Sequence, residues 1–453
     1  MTFADLTEYM TNHSFIRNKA LCWMFTLLVG LTAAPAAAVD NSSTSTAYLD
    51  LLVFQKRYLE LESAIAVSES DLAPVIRAYF KGVIANRINQ GSLSIQLLQP
   101  ILSTLIATDP VRAEIALCTV ADDYAKAFRY GDAAAAYGEA GRVSQQQGRP
   151  SECNAQQQSS RWALLTDVHP QLIRGRHQFE VAGKRDTFGL FEVPVATDHY
   201  TGSWIVDSGA NLSVIRRSVA EKMGLKISVK AETARGVGPS VTTRVSVIPE
   251  LKLGMAVVHN VPVLVVEDSV LTFSPVDYQI DGCLGLPVIA AFGAVTFYPD
   301  GRVRFGMASV AKTTRFHNLF LENFTPLIAA DLGLGDRLFT LDTGAQGAVL
   351  SAQFYLEDRE SSELTNPVDL ELVGAGGTIS SPAYVLPSLV ARFGNKCAIL
   401  KQVPILTGSM GSSDEFYGNL GQSALASFSS FTLNFTTMHF NVSGDEHSVC
   451  RRV

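Results

Sequence analysis

The sequence predicts a multidomain α plus β chain, with an N-terminal helical hairpin domain followed by an all-β region made of two similar halves. Three observations carry this expectation. Apolar residues recur at three- and four-residue spacing as far as about Asp167, short β-branched runs broken by Gly, Pro and Asp take over near His169, and landmarks within the β region recur in one order. At 453 residues the chain exceeds one ordinary core. Hydrophobic residues at 47% and charged residues at 17% indicate a globular fold. A net charge of -7 without any Lys/Arg cluster argues against a nucleic-acid surface, because phosphate binding depends on clustered cations.

Taken in order, residues 1–38 read as a signal peptide: Arg17 and Lys19, an apolar run from Ala20 to Leu31, then Ala36-Ala37-Ala38 as a cleavage site. An uncleaved signal anchor is the alternative. The run is short for a full span, and no later segment is long enough, so no membrane span is expected after cleavage. The corresponding location is periplasmic or secreted. Residues 39–46, with the Ser/Thr-rich stretch Asn41 to Thr46, read as a flexible linker. Residues 47–167 read as a helical domain, with Leu49, Leu52, Val53 and Leu59 on one face. Within it, Gly131 is expected to end one helix and Asp132 to cap the next. Gly131-Asp132 followed by Ala136, Tyr137 and Ala140 resembles one tetratricopeptide hairpin; a generic antiparallel bundle fits as well, and a protein partner on this domain is one implied role. Of six Cys, Cys22 leaves with the signal, and the pairs Cys118 with Cys153 and Cys397 with Cys450 are the expected disulfides.

The β region, divided as 168–312 and 313–453, repeats itself. Val206-Asp207-Ser208-Gly209-Ala210 and Leu341-Asp342-Thr343-Gly344-Ala345 lie 135 residues apart. Gly-rich hairpin tips follow each Asp, at Gly236-Val237-Gly238 after 29 to 31 residues and Gly374-Ala375-Gly376-Gly377 after 32 to 35. Asp281-Gly282-Cys283-Leu284-Gly285 and Tyr417-Gly418-Asn419-Leu420-Gly421 come next, the last Gly 78 and 79 residues after its Asp. Strands at Ala294 to Tyr298 and Phe431 to Phe435 close the two halves. An internal duplication accounts for this order.

Two carboxyls brought together can divide acid and base duties, because close approach prevents both from ionising. One Asp is half of such a site; two copies in one chain can complete it.

These motifs resemble the retropepsin-like aspartic peptidases over roughly residues 175 to 445. The resemblance implies a two-lobed acid-protease fold with pseudo-twofold symmetry, Asp207 and Asp342 as the catalytic pair, and Ser208, Gly209, Ala210, Thr343, Gly344 and Ala345 as supporting loops. It further implies flaps at Gly236, Val237, Gly238, Gly374, Ala375, Gly376 and Gly377 that close over an extended peptide or protein substrate. Hydrolysis would use an activated water with no cofactor and no metal. Two positions depart from the family pattern: Asn419 stands where a hydrophobic residue is usual, and Pro239 where Gly is frequent. The alternative function is a catalytically inactive peptide-binding or scaffold protein of the same fold. Other chemistries lack their signatures: Gly421-Gln422-Ser423-Ala424-Leu425 misses the last Gly of a nucleophile elbow, and no H-E-x-x-H occurs.

Overall fold

The computed structural model describes residues 41–234, 238–273, 277–306, 316–357, 367–408 and 415–444. Among the described residues, eight α-helices come first: α1 (Asn41–Phe54), α2 (Tyr58–Ser68), α3 (Pro74–Arg87), α4 (Gly91–Leu98), α5 (Leu102–Thr108), α6 (Pro110–Lys126), α7 (Tyr130–Gln146) and α8 (Ala155–Ala163). Residues 1–38, read above as a signal peptide, lie outside the described residues, among which no helix is long and apolar enough to cross a membrane.

Helix α6 shows how the local sequence builds these elements. Asp109 caps it by accepting the Arg112 backbone N–H at 3.2 Å, and Pro110 occupies the first turn, where its missing N–H costs nothing. Ala113, Ala116, Leu117, Val120 and Tyr124 then form one buried face, which packs on α7 through Ala133, Tyr137 and Ala140. Cys118 of α6 is joined to Cys153 ahead of α8 by a disulfide. Cys397 is also disulfide-bonded, while Cys450, its expected partner, lies outside the described residues.

Two local expectations need correction. The run Asn41 to Thr46 is not a linker but the start of α1, drawn into the helix by Leu49, Leu52 and Val53, which bury against the core. Gly131 and Asp132 do not break and cap helices: α7 already begins at Tyr130, and the chain reverses at Phe128, which takes a φ of 59°. Asp132 instead lies in the first turn, ion-paired with Arg129, where a negative charge suits the helix dipole.

Strands β1 (Leu172–Gly175), β2 (Phe179–Val181), β3 (Lys184–Arg185), β4 (Phe191–Ala196), β5 (Thr201–Val206) and β6 (Ser213–Arg216) follow, then helix α9 (Arg217–Lys222). Next come β7 (Ala231–Ala234), β8 (Val241–Leu253), β9 (Ala256–Val266), β10 (Thr272–Phe273), β11 (Tyr278–Gln279), β12 (Gly282–Leu284), α10 (Leu286–Ala290), β13 (Ala294–Phe297) and β14 (Val303–Phe305). The remainder holds β15 (Leu319–Glu322), β16 (Thr325–Asp331), β17 (Asp336–Leu341), β18 (Val349–Leu350), α11 (Ala352–Glu357), β19 (Val368–Gly374), β20 (Gly377–Phe393), β21 (Lys396–Leu406), β22 (Gly418–Leu420), β23 (Ser430–Asn434) and β24 (His439–Ser443).

One pairing scheme serves two sheets. In the first, β12 runs parallel to β5 and antiparallel to β6, β6 runs parallel to β9, and the antiparallel chain β9–β8–β7 completes it. In the second, β22 runs parallel to β17 and antiparallel to β18, β18 runs parallel to β21, and β21–β20–β19 completes it. A third sheet, in the order β2-β14-β13-β23-β24, combines strands from both halves. At its centre Val295 pairs with Leu433 and Thr296 with Thr432, whose hydroxyls are 2.8 Å apart.

The helices dock on the second sheet around a buried carboxylate. Glu322 at the end of β15 meets Arg87 at 3.0 Å and Lys56 at 3.4 Å and accepts the Tyr58 hydroxyl at 2.5 Å. Burial pushes its carboxyl up, but the two cations outweigh burial and hold it at about 2. Alongside, Trp162 stacks on Tyr130 and leans on Phe324.

Asp123, inside the helical region, behaves in the opposite way. Burial, only partly offset by Lys126 and reinforced by the charge of Asp122, lifts it from 3.8 to about 7, and Asn86 donates to it at 2.7 Å. A raised carboxyl stabilises the fold fully below its unfolded pKa, and that contribution is lost as pH rises through the folded value. Acidifying from about pH 8 to about pH 5 should therefore raise stability, by up to roughly 3 kcal/mol from this group. Asp123→Asn should raise the thermal midpoint at the higher pH and remove most of this dependence; equal slopes in the two proteins would exclude Asp123 as its source.

Candidate active site

Strand β5 ends at Val206 and delivers Asp207 into a tight loop; β17 ends at Leu341 and delivers Asp342 into another. Each loop is held from beneath by the short strand beside it. Asp207 N–H donates to Leu284 O at 3.0 Å and Leu286 N–H to Ala210 O at 2.8 Å. In the second half, Asp342 N–H donates to Leu420 O at 3.1 Å and Gln422 N–H to Ala345 O at 2.9 Å. Ile215 and Leu350 are fully buried below the two loops.

The loops interlock through their hydroxyls. Ser208 N–H donates to Thr343 Oγ1 at 2.9 Å, and Thr343 N–H donates to Ser208 Oγ at 3.0 Å. Each hydroxyl then passes its own proton across, Ser208 Oγ to Leu341 O at 2.8 Å and Thr343 Oγ1 to Val206 O at 2.6 Å. Both side chains are buried. Four hydrogen bonds, two in each direction, thereby satisfy six buried groups without water.

This interlock sets the two carboxyls face to face. They are hydrogen-bond neighbours of one another. Asp207 Oδ1 accepts from Gly209 N–H at 2.9 Å and Ala210 N–H at 3.0 Å, and Asp342 Oδ1 accepts from Gly344 N–H at 2.8 Å. A Cβ at Gly209 would stand 2.6 Å from Asp342 Cγ, and one at Gly344 2.5 Å from Asp207 Cγ, so glycine is required where each carboxyl passes the opposite loop. Burial, followed by the charge of Asp342, pushes Asp207 well above the usual carboxylate range. Burial also raises Asp342, opposed by the Gly344 N–H and by hydrogen bonds from Asp207 and Asn419. A pair sharing one proton is the chemical state this geometry favours.

The two hairpins β7–β8 and β19–β20 meet tip to tip. Gly238, with φ of 96°, lies against Gly376 and Gly377, a Cβ there falling 3.0 Å from the Gly376 carbonyl carbon. Gly374 pairs with Gly377 across the Ala375-Gly376 turn. Gly236 and Val237 lie outside the described residues.

Several supporting residues escape a sequence reading. Gln422 Nε2 donates to Thr343 O at 2.6 Å, and its Oε1 accepts from Arg185, which also donates to Gly189 O at 2.6 Å and lies over the Phe191 ring. Their partners are 79 and 237 residues away, so no local pattern marks them. The one available signal is that Gln422 is polar where its counterpart after the first Leu-Gly, Leu286, is apolar. Beside Asp207, Leu190, Ile205 and Cys283 form a small buried cluster apart from the main core, with Phe188 and Ile280 packed on it. Removal of either interlocking hydroxyl strands buried backbone groups, at about 1–3 kcal/mol each. Ser208→Ala and Thr343→Val should each lower the unfolding free energy in urea by about 2 kcal/mol or more; losses near zero would show that the loops do not depend on the exchange.

No curated protein matches this chain. Residues 193–288, from β4 to α10 and including the Asp207 loop, match the model of a family described as aspartyl protease, which supports a protease-type hydrolase.

Proposed function

We propose that the chain is an aspartic endopeptidase whose β region forms two lobes related by a pseudo-twofold axis, each supplying one member of the catalytic dyad, Asp207 and Asp342. The observation that carries this reading is the reciprocal placement of the carboxyls, each packed against the glycine of the opposite loop. The aspartyl protease match over residues 193–288 and the common strand-pairing scheme support it.

The mechanism follows from a dyad holding one proton. A water bound between the carboxyls gives a proton to the ionised Asp as its oxygen attacks the scissile carbonyl carbon. The protonated Asp donates to the carbonyl oxygen, leaving a neutral gem-diol. Collapse then breaks the C–N bond: the first Asp passes its new proton to the leaving nitrogen, and the second recovers a proton from a diol hydroxyl. Protein nucleophiles form no bond to substrate at any stage.

Hairpins β7–β8 and β19–β20 act in this reading as flaps, with Gly238, Gly374, Ala375, Gly376 and Gly377 at their tips and Gly236 and Val237 assigned by position. They must part to admit an extended peptide and then exclude water from the reacting bond. The Cys118–Cys153 bridge favours an oxidising location, periplasmic or extracellular, in keeping with the signal peptide that the sequence of residues 1–38 predicts.

Asp207→Asn and Asp342→Asn should each reduce peptide cleavage by at least about a thousandfold, measured on the full chain with an unstructured protein substrate and product masses. Activity should fall as pH rises and the shared proton is lost, with that limb above the ordinary carboxylate range because burial raises both groups. Retention of full activity by either variant would overturn the shared-dyad assignment.

A further inference from the structure

The two halves differ at one position beside the dyad. Strand β12 lies next to the Asp207 strand with Cys283 opposite Ile205, and strand β22 lies next to the Asp342 strand with Asn419 opposite Thr340. Cys283 and Asn419 are equivalent, each two residues before the Gly that closes its Leu-Gly turn. Cys283 is a free, buried thiol among Leu190 and Ile205. Asn419 is half-buried and its side chain is held: Thr340 Oγ1 lies 2.6 Å from Asn419 Oδ1. With the oxygen end taken as acceptor, the remaining polar end of that amide is a donor.

We infer that Asn419 is a positioning residue that turns its amide N–H toward Asp342, keeps that carboxyl ionised and so places the shared proton on Asp207. Asp342 is then the base that takes the proton from water, and Asp207 the acid that protonates the carbonyl oxygen. The roles rest on the peptidase reading; the proton's location does not.

Three considerations support the assignment. First, the backbone donors are nearly balanced between the carboxyls, since Gly209 and Ala210 serve Asp207 as Gly344 and Ala345 serve Asp342, so they supply little bias. Second, the flanking residues are unequal. A hydrogen-bond donor favours the charged form of a carboxylic acid, while a thiol in an apolar setting offers only desolvation. Burial raises both carboxyls, and Asn419 is among the groups opposing the rise at Asp342. Third, no cation figures among the groups acting most strongly on either carboxyl. The titratable groups facing the pair are each other and Cys283, whose thiol burial keeps protonated. Arg185 donates to the Gln422 amide, which stands between it and the Thr343 carbonyl. Carboxyls whose surroundings separate their affinities for a proton take separate roles in acid–base chemistry.

The test follows the aspartate side-chain carboxyl carbons by NMR on the full-length protein through a pH titration. The two dyad signals are assigned by their loss in Asp207→Asn and Asp342→Asn. The expected result is that the lower-titrating signal belongs to Asp342 and that Asn419→Leu raises its apparent pKa by about one unit. Asn419→Ala should do the same if the leucine variant folds poorly, Asn419→Gln should restore part of the difference, and Cys283→Ala should leave the order unchanged. In peptide cleavage, the acid limb of kcat/KM should move up by the same amount. A lower-titrating Asp207 in the unmodified protein, or titrations unaltered in both Asn419→Leu and Asn419→Ala, would overturn the inference. Absence of cleavage by the unmodified protein, with the NMR order as expected, would overturn the peptidase reading and uphold the proton placement.

Discussion

Everything at the centre of this molecule depends on two hydroxyls that each reach across to the other half of the chain. Ser208 and Thr343 accept one another's backbone N–H and donate to the carbonyls that precede the two aspartates. Without that exchange, two negative groups have no reason to approach. Bringing carboxyls together is unfavourable in itself, and the energy that holds them comes from neighbouring groups whose only satisfaction lies in the opposite loop. Strain at the site is thus opposed by bonds that make no contact with substrate. Gln422 and Arg185 extend the same logic outward, anchoring the Thr343 carbonyl from a strand of the other half.

A second buried ionic centre joins the helices to the strands. Glu322 collects Arg87, Lys56 and Tyr58, and its low pKa means that its contribution is present above about pH 4.5 and lost as pH falls toward 2. Asp123 contributes in the other direction, stabilising most where it is neutral. Together the two groups define a window of mild acidity in which Glu322 is charged and Asp123 is largely uncharged. Burial dominates at Asp123 because its single cation, Lys126, is engaged by Asp122 at 2.6 Å.

The parts legible in the sequence are those whose geometry is local. Asp-Ser/Thr-Gly-Ala is readable because a strand end, a small hydroxyl and a glycine must be consecutive to make such a loop, and Leu284-Gly285 and Leu420-Gly421 because a short strand must end at a close approach. The hairpin tips follow from glycine at Gly238 and Gly377, both with positive φ. What was not legible is set by tertiary partners. The Asn41 to Thr46 run resembles a linker by composition, yet burial further along α1 pulls it into a helix. Gly131 resembles a helix stop, yet the reversal falls at Phe128, since Gly131 instead lets α7 pass close to Thr166, 3.2 Å from where a Cβ would lie. Glu322 with Arg87, and Arg185 with Gln422, join residues hundreds of positions apart, and nothing in either neighbourhood announces the other.

The mixed sheet carries a consequence for the order in which the molecule is made. Strand β13 pairs on one side with β14 and on the other with β23, which begins only at Ser430. During synthesis the first half therefore exists for well over a hundred residues with one edge of its closing sheet open, an edge bearing Val295 and Phe297 and suited to the wrong partner as well as the right one. A chain interrupted before Ser430 has both aspartates and both hairpins but lacks the strand that completes the sheet shared by the halves. In this protein the strands from Ser430 onward act as the seal of the sheet that the two halves share.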